Sequence, residues 1–280
     1  MLHRRRPVAP LAPEFINRYL SVLGVSRRPP SPQALAELVA AQVTRIPFEN
    51  ISKLYHMKHL GFTGLPSLQM FLAGIEQYHF GGTCYSNNFY LYRLLTSLGY
   101  ETKLCGADMT NPDVHMVSIV QLDSREYLVD AGYAAPFLAP LPRDLGADYA
   151  IMLGRDRYVL KPQDAEGRSQ LELYRDGVAK HGYRVKPAPR KIEDFQQVIA
   201  DSFRASATFM NSVLLARFYP NRSVVIHNLT RIESQGTSST MHSLENRDAL
   251  IAQIEEHFGI PPNITAEAVG GLGLQEDAWA

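Results

Sequence analysis

The apolar spacing of this chain changes period at Gly99, which excludes both an all-helical and an all-β protein. Before that point the pattern is helical. Residues 13–23 carry Phe15, Ile16, Tyr19 and Leu20 on one face. Ser31 is a side-chain cap followed by Pro32 at the first helical position and by Leu35, Leu38, Val39 and Val43 along one stripe. A third helix is predicted over about residues 66–77, and a fourth starts near Cys84, aligns Leu91, Leu94, Leu95 and Leu98, and stops at Gly99. After Gly99 the segments 100–107, 114–122 and 125–129 are short and alternating, the last two joined by Asp123-Ser124 as a turn. Further short strands near 149–153, 157–160, 170–174 and 182–185 predict a small barrel or meander. Residues 192–203 read as helix, 212–218 and 223–231 as a hairpin turning at Pro220-Asn221, and the next helix is capped by Ser243 and runs to Phe258. The segment 261–280 has little to bury and reads as a loosely held tail.

A chain of 280 residues sits at the upper end of what one core supports, so two or three packed parts are expected, with one long domain as the alternative. Lys plus Arg and Asp plus Glu both number 28, which removes the charge excess of a general nucleic-acid binder. Arg4 to Arg6 then read as a solvated end. No run approaches the roughly 18 apolar residues of a membrane span, and Pro7, Pro10 and Pro13 interrupt any leader-like stretch. Two cysteines, Cys84 and Cys105, supply neither a disulfide framework nor a four-thiolate metal site. His56 and His59 lack further ligands at zinc spacing, so no metal is expected and both read as part of a solvated loop. A reducing cytoplasm is the expected location, and the Asn-X-Ser/Thr matches at Asn221, Asn228 and Asn263 are then accidental.

The residues that carry chemistry are Cys84, His115 and Asp130. Cys84 follows Gly81-Gly82 and opens a helix, where free N–H groups and a positive partial charge favour a thiolate. His115 and Asp130 lie on two strands joined by a two-residue turn, which pairs 115 with 132 and 117 with 130 and puts both side chains on one face. Asp would fix the imidazole tautomer and His would take the thiol proton. Each residue alone reads equally well as structure: a small apolar Cys filling a helix start, a packed strand-end His, an Asp opening a turn. Cys105, inside a strand without charged neighbours, reads as a buried core thiol.

Four segments in order tip that balance. Arg45-Ile46-Pro47-Phe48-Glu49-Asn50, Gly81-Gly82-Thr83-Cys84 with Asn88 four places on, His115 at a strand start, and Tyr127-Leu128-Val129-Asp130-Ala131-Gly132-Tyr133 resemble the successive motifs of the arylamine N-acetyltransferase family. The resemblance extends more weakly through residues 192–195 and 206–209 to the last helix. It implies an α+β protein with a helical bundle over 1–99, a β-barrel over 100–191 and an α/β lid over 192–280, built around a cysteine-protease-like Cys-His-Asp core. It also implies ping-pong acyl transfer. Cys84 would take an acetyl group from acetyl-CoA and pass it to an arylamine, hydrazine or arylhydroxylamine, with Phe48, Tyr133 and Phe137 lining the acceptor pocket and Asn111, Ser206 and Thr208 meeting coenzyme A. The partners implied are small amines and an acyl-CoA, or an acyl carrier protein in relatives that act as amide synthases on carrier-bound thioesters. A hydrolase using the same three residues, or an inactive scaffold, are further alternatives.

Three departures from the family pattern are visible. Phe80 stands where relatives have an Arg that pairs with the motif Glu, leaving Arg45 as the expected partner of Glu49. Ser86 replaces a Glu or Gln. Residues Asn111-Pro112-Asp113-Val114 replace small residues before the histidine, and Asp113 is expected to put a negative charge beside an anionic donor.

Overall fold

The computed structural model describes residues 9–273. The run Arg4 to Arg6 and the end of the expected tail, 274–280, lie outside them. Helices α1 (Pro13–Leu23), α2 (Pro32–Arg45), α3 (Ile51–Leu60), α4 (Leu68–Tyr78) and α5 (Cys84–Ser97) come first, with a two-residue strand β1 (Phe48–Glu49) between α2 and α3. Ser31 caps α2 by accepting the Ala34 N–H, a contact worth about 1 kcal/mol at such positions. Then follow β2 (Glu101–Asp108), β3 (His115–Leu122), β4 (Arg125–Val129), β5 (Leu141–Pro142), β6 (Tyr149–Leu153), β7 (Asp156–Leu160), β8 (Ser169–Arg175) and β9 (Val178–Pro189). They form one eight-stranded antiparallel sheet in the order β5-β4-β3-β2-β9-β8-β7-β6, curved into a nearly closed barrel.

A 3-10 turn (Ile192–Phe195) and short helices α6 (Gln196–Asp201) and α7 (Thr208–Asn211) lead into β10 (Leu214–Tyr219), β11 (Arg222–His227), β12 (Thr230–Gln235) and β13 (Ser238–Ser243). These make a five-stranded sheet in the order β1-β10-β11-β12-β13, covered by α8 (Arg247–Phe258) and α9 (Pro262–Val269).

Among the described residues four buried clusters hold these layers, the smallest joining Val43, Phe48, Leu153, Ala216 and Phe218; the other three are larger. The first joins α1, α2, α4 and α5 to one face of the barrel through Leu35, Leu72, Leu94, Met116 and Val120. The second fills the barrel with Val117, Ile119, Leu128, Leu171 and Tyr183. β3 serves both because successive side chains point to opposite faces: Met116 and Val120 meet α5 and its neighbours, Val117 and Ile119 the barrel interior. The third packs α3, α8 and α9 on the five-stranded sheet through Leu54, Leu215, Ile226, Ile254 and Ile264.

Several expectations change here. Residues 51–60 are helical, and both β1 and α3 pack with the C-terminal elements although they lie before residue 99. The segment 223–231 is not one strand: it breaks at Asn228, which has φ 49°, and β12 and β13 follow. Ser243 ends β13, and the cap of α8 is Asn246, whose side chain accepts the Ala249 N–H. Residues 262–269 of the expected tail are a helix with Ile264, Ala268 and Val269 buried. The corner between β1 and α3 is sewn to the third layer by Asn50, which is fully buried. Its amide donates to the carbonyls of Phe209 (2.9 Å) and Ser212 (2.6 Å), and its oxygen accepts the Leu214 N–H (2.8 Å).

Candidate active site

Cys84 is the first residue of α5, where backbone N–H groups lack intrahelical partners. Its turn is pressed between two layers. A Cβ on Gly81 would fall 1.9 Å from the Pro47 carbonyl oxygen, and one on Gly132 would fall 2.5 Å from the Cys84 Cα, so only glycine permits either approach. Glu49 holds the turn from behind, accepting the N–H groups of Gly81 (3.0 Å) and Ser52 (2.8 Å) while its own N–H donates to Gly82 (3.1 Å). Burial pushes the Glu49 carboxyl above the usual carboxylate range. Arg45, expected as its partner, lies instead with its guanidinium against Gly24 at the end of α1. Phe80 is buried in an aromatic cluster with Tyr55, His56 and Tyr78.

The two-residue turn at Asp123 and Ser124, with φ of 48° and 61°, sets the register Leu122↔Arg125 through Ser118↔Val129. Asp130 leaves the end of that ladder as β4 finishes and turns onto His115, whose Nε2 lies 2.8 Å from its Oδ2. Tyr183 donates to the same oxygen at 2.8 Å, while Asn88 (2.8 Å) and the Gly132 N–H (2.9 Å) donate to Oδ1. Every lone pair of this buried carboxylate is therefore met by a donor. Asn88 also donates to the Met116 carbonyl and accepts the Ala131 N–H, so one side chain of α5 ties the helix that begins at Cys84 to β3 and to the segment after β4.

Burial opposes charge on both partners, but their mutual attraction and these hydrogen bonds outweigh it and hold Asp130 below the usual carboxylate range. For His115 burial likewise pulls down, while the Asp130 charge and hydrogen bond and the Cys84 side chain raise the imidazole to about 10. Nε2 is occupied by Asp130, which leaves Nδ1 as the ring nitrogen available to another partner, and both Cys84 and His115 line the same cavity.

Cys84 and His115 open onto a cavity of about 1050 Å³ between barrel and lid. Its walls are largely apolar: Phe48 and Phe209 meet edge to face at 5.6 Å, with Phe218 and Tyr158 beyond them. The far end carries His181, Asp156 and Arg175, the last two paired at 2.7 and 2.8 Å.

Of the residues singled out in the sequence, Cys84, His115, Phe48 and Tyr133 line this cavity and Asp130 stands directly behind His115. Phe137 does not line it; it is buried in the barrel core, stacked behind Tyr133 at 6.2 Å. Asn111, Ser206 and Thr208 are exposed and absent from the lining, whereas their near neighbours Met109, Val114 and Phe209 face it. Asp113 presents no bare charge. Lys186 (2.8 Å) and Arg190 (2.7 Å) both pair with its carboxylate, and its N–H donates to Asp108. Cys105 is buried, and burial pushes its thiol up to about 12. His56 and His59 lie on α3, and His59 pairs with Glu267 of α9. Among the described residues no group of three or more His, Cys, Asp or Glu side chains is placed to hold a metal.

Tyr183 and His181 were not visible in the sequence as part of the site. Tyr183 shares parity with Val185 on β9, a buried position, and parity was the available signal. Replacing Tyr183 by Phe keeps the shape but removes a hydrogen bond to a charged carboxylate, and is expected to cost about 1.5–3 kcal/mol. Denaturant titration would read this as a lower midpoint at unchanged slope; an unchanged midpoint would show that the hydroxyl contributes nothing to holding Asp130.

A family model described as N-acetyltransferase matches residues 32–266. Arylamine N-acetyltransferase 1 of Felis catus is 24% identical over 193 residues, covering 59% of this chain and 71% of that protein. Proansamycin X synthase of Amycolatopsis mediterranei is 24% identical over 245 residues, covering 79% and 89%. Among solved structures, the arylamine N-acetyltransferase of Nocardia farcinica superposes with a TM-score of 0.74 at 25% identity, over 91% of this chain and 94% of that one. The Mycobacterium marinum arylamine N-acetyltransferase in complex with CoA superposes with a TM-score of 0.76 at 19% identity, over 90% and 98%.

Proposed function

Because the chain belongs to the arylamine N-acetyltransferase family and is therefore an acyltransferase, we propose that it moves an acetyl group from acetyl-CoA to an aromatic amine or hydrazine through a thioester on Cys84. The observation that carries this reading is the shared cavity of Cys84 and His115 with Asp130 bonded to the far nitrogen of the ring.

In the first half-reaction the Cys84 sulfur attacks the thioester carbonyl, a new C–S bond forms, and the coenzyme A sulfur leaves with the proton held on His115. In the second the acceptor nitrogen attacks the Cys84 thioester, His115 takes a proton from that nitrogen, and the Cys84 sulfur leaves. Each tetrahedral intermediate carries an oxyanion, for which N–H groups at the start of α5 are the candidate donors. Asp130 does not give up its proton partner. It fixes which nitrogen faces sulfur and supports the imidazolium that both halves require.

Acetyl-CoA as donor is supported by the family and by the relative solved with CoA. The pairing of Asp113 with two cations removes the repulsion its sequence position suggested. The aromatic walls suit an arylamine. Both cysteines are free, and a reaction that depends on a free thiol fits a reducing compartment such as the cytoplasm. Among the described residues no helix is long and apolar enough to cross a membrane.

Intact-mass measurement after mixing with acetyl-CoA tests the reading. A gain of one acetyl group, lost in Cys84→Ala and discharged by an added arylamine, is the expected result; an unlabelled protein overturns it. The match to proansamycin X synthase spans more of this chain than the match to the feline enzyme. A second reading, amide formation from a carrier-bound thioester, therefore belongs in the same experiment. Labelling by acyl-carrier thioesters but not by acetyl-CoA would select it.

A further inference from the structure

A second cavity, about 570 Å³, lies on the opposite side of the Gly81–Thr83 turn, between α3, α4 and the end of α6. Its walls are apolar, formed chiefly by Phe62, Leu65, Met70, Phe71 and Phe80. One cation looks into it. Lys53 of α3 is only 9% exposed, and its Nζ donates to the carbonyl (2.6 Å) and hydroxyl (2.7 Å) oxygens of Ser202, with the Phe203 ring 4.1 Å away. The Ser202 hydroxyl spends its own proton on the Ile199 carbonyl, which leaves it free to accept from the lysine.

An ammonium has three donors and a full charge. Here two donors meet neutral oxygens of one residue. None of the cavity-lining residues is acidic, and among the described residues no carboxylate pairs with Nζ. Glu49, nearby in sequence, accepts the Gly81 and Ser52 N–H groups, and no ion pair joins it to Lys53. The Cys84 sulfur is the opposing group that acts on this charge, but it raises the lysine less than burial lowers it, and the cavity beside Nζ is the space in which an anion completes the balance.

We propose that this cavity binds a small aromatic monocarboxylate, with its carboxylate on Lys53 Nζ and its ring system against the Phe62, Phe71 and Phe80 wall. One cation in an otherwise apolar cavity selects a single negative charge on an apolar body over a phosphate or a dianion. Of the other titratable wall residues, burial holds His56 below and Tyr85 above its ordinary value, so neither adds a second charge. Lys53 itself is lowered to about 8 by burial, so it still carries its proton at neutral pH.

Isothermal titration of the full chain with 2-naphthoate and its neutral isostere 2-naphthamide tests this. Naphthoate should bind saturably and at least ~10-fold more tightly than the amide, since only it completes a charge-assisted hydrogen bond. Lys53→Met should bring naphthoate down to the amide's level and leave the amide unchanged. Gly64→Trp is the second variant: an added Cβ there meets only the Phe62 ring, at 3.5 and 4.0 Å, so the larger side chain enters the cavity rim without clashing with backbone. It should weaken both ligands by ~10-fold or more, as expected for a filled pocket. A carboxylate preference that survives Lys53→Met, binding that survives Gly64→Trp, or no saturable binding to wild type would each overturn the proposal. Neither variant touches the cavity of Cys84 and His115, so binding there would leave both titrations unchanged and count against it.

Discussion

With Cys84 replaced by Ala, acetyl transfer to an arylamine is expected to slow by ~10⁴-fold or more, the scale seen when a covalent nucleophile is removed from an otherwise complete site. The loss should fall on kcat. The apolar walls around Phe48 and Phe209 are intact, so acceptor affinity has no reason to change. Stability should change little, because the residue is small and the Glu49, Asn88 and Gly132 contacts that shape the turn do not use its sulfur. Steady-state rates with a parallel melting curve decide it. A variant that keeps a tenth of the wild-type rate would remove Cys84 from the chemistry.

Asp130→Asn is expected to damage both rate and stability. Four donors converge on this side chain, two on each oxygen. An amide offers one oxygen, so its NH₂ must face either Asn88 with the Gly132 N–H or His115 with Tyr183. The first leaves two donors unsatisfied in the core, and the second forces the His115 proton onto Nδ1, the nitrogen that must accept from sulfur. A rate loss of ~10³–10⁴-fold follows from the wrong tautomer, with about 3–5 kcal/mol of stability lost from breaking a buried charged pair.

The pH dependence of stability carries the same signature. His115 is raised from an unfolded value near ~6.5 to about 10, so the folded chain holds a proton that the unfolded chain has lost across that interval. Its stabilising contribution is complete below ~6.5 and disappears as pH climbs through about 10. Asp130 is lowered, so its contribution is complete above its unfolded value of ~3.9 and fades as pH falls through its lower folded value. Wild type should therefore lose stability through the alkaline range, and in Asp130→Asn this slope should flatten. Denaturant midpoints from pH 6 to 10 measure it; an equal slope in both proteins would mean the pair does not hold the proton.

The sequence brought His115 and Asp130 near each other because a two-residue turn fixes the register of β3 and β4, but that ladder ends at Ser118↔Val129 and the turn of Asp130 onto His115 lies beyond it. α5 was legible because Leu91, Leu94, Leu95 and Leu98 recur at helical spacing and the pattern stops at Gly99, although the helix is buried on nearly every side. α3 was not, because it is packed on more than one side and buries Ser52 and Lys53 beside Ile51 and Leu54, which erases the stripe. Asn50, the natural cap, spends its side chain on Phe209, Ser212 and Leu214 instead. β12 and β13 carry Ser, Thr, Glu and His because β13 is an exposed edge, so apolar alternation is weak there. Pro261-Pro262 looked like the end of structure, yet Pro262 occupies the first turn of α9, where its missing N–H costs nothing. Tyr183 lies too far along the chain for any local pattern to connect it with Asp130. Asp113 carried the right charge but the wrong implication, since its partners Lys186 and Arg190 come from a distant strand end.

The Gly132 contact with the Cys84 turn has a consequence for biosynthesis. On the ribosome Cys84 is made before its base, before the carboxylate that orients the base, and before Tyr183, and the loop that seals its turn comes from the barrel. A nascent chain that has folded only its helices presents a sulfur with no proton acceptor beside it. Under the proposed mechanism, a translation product interrupted before the barrel is complete is inert, because its Cys84 sulfur has neither His115 nor Asp130 beside it.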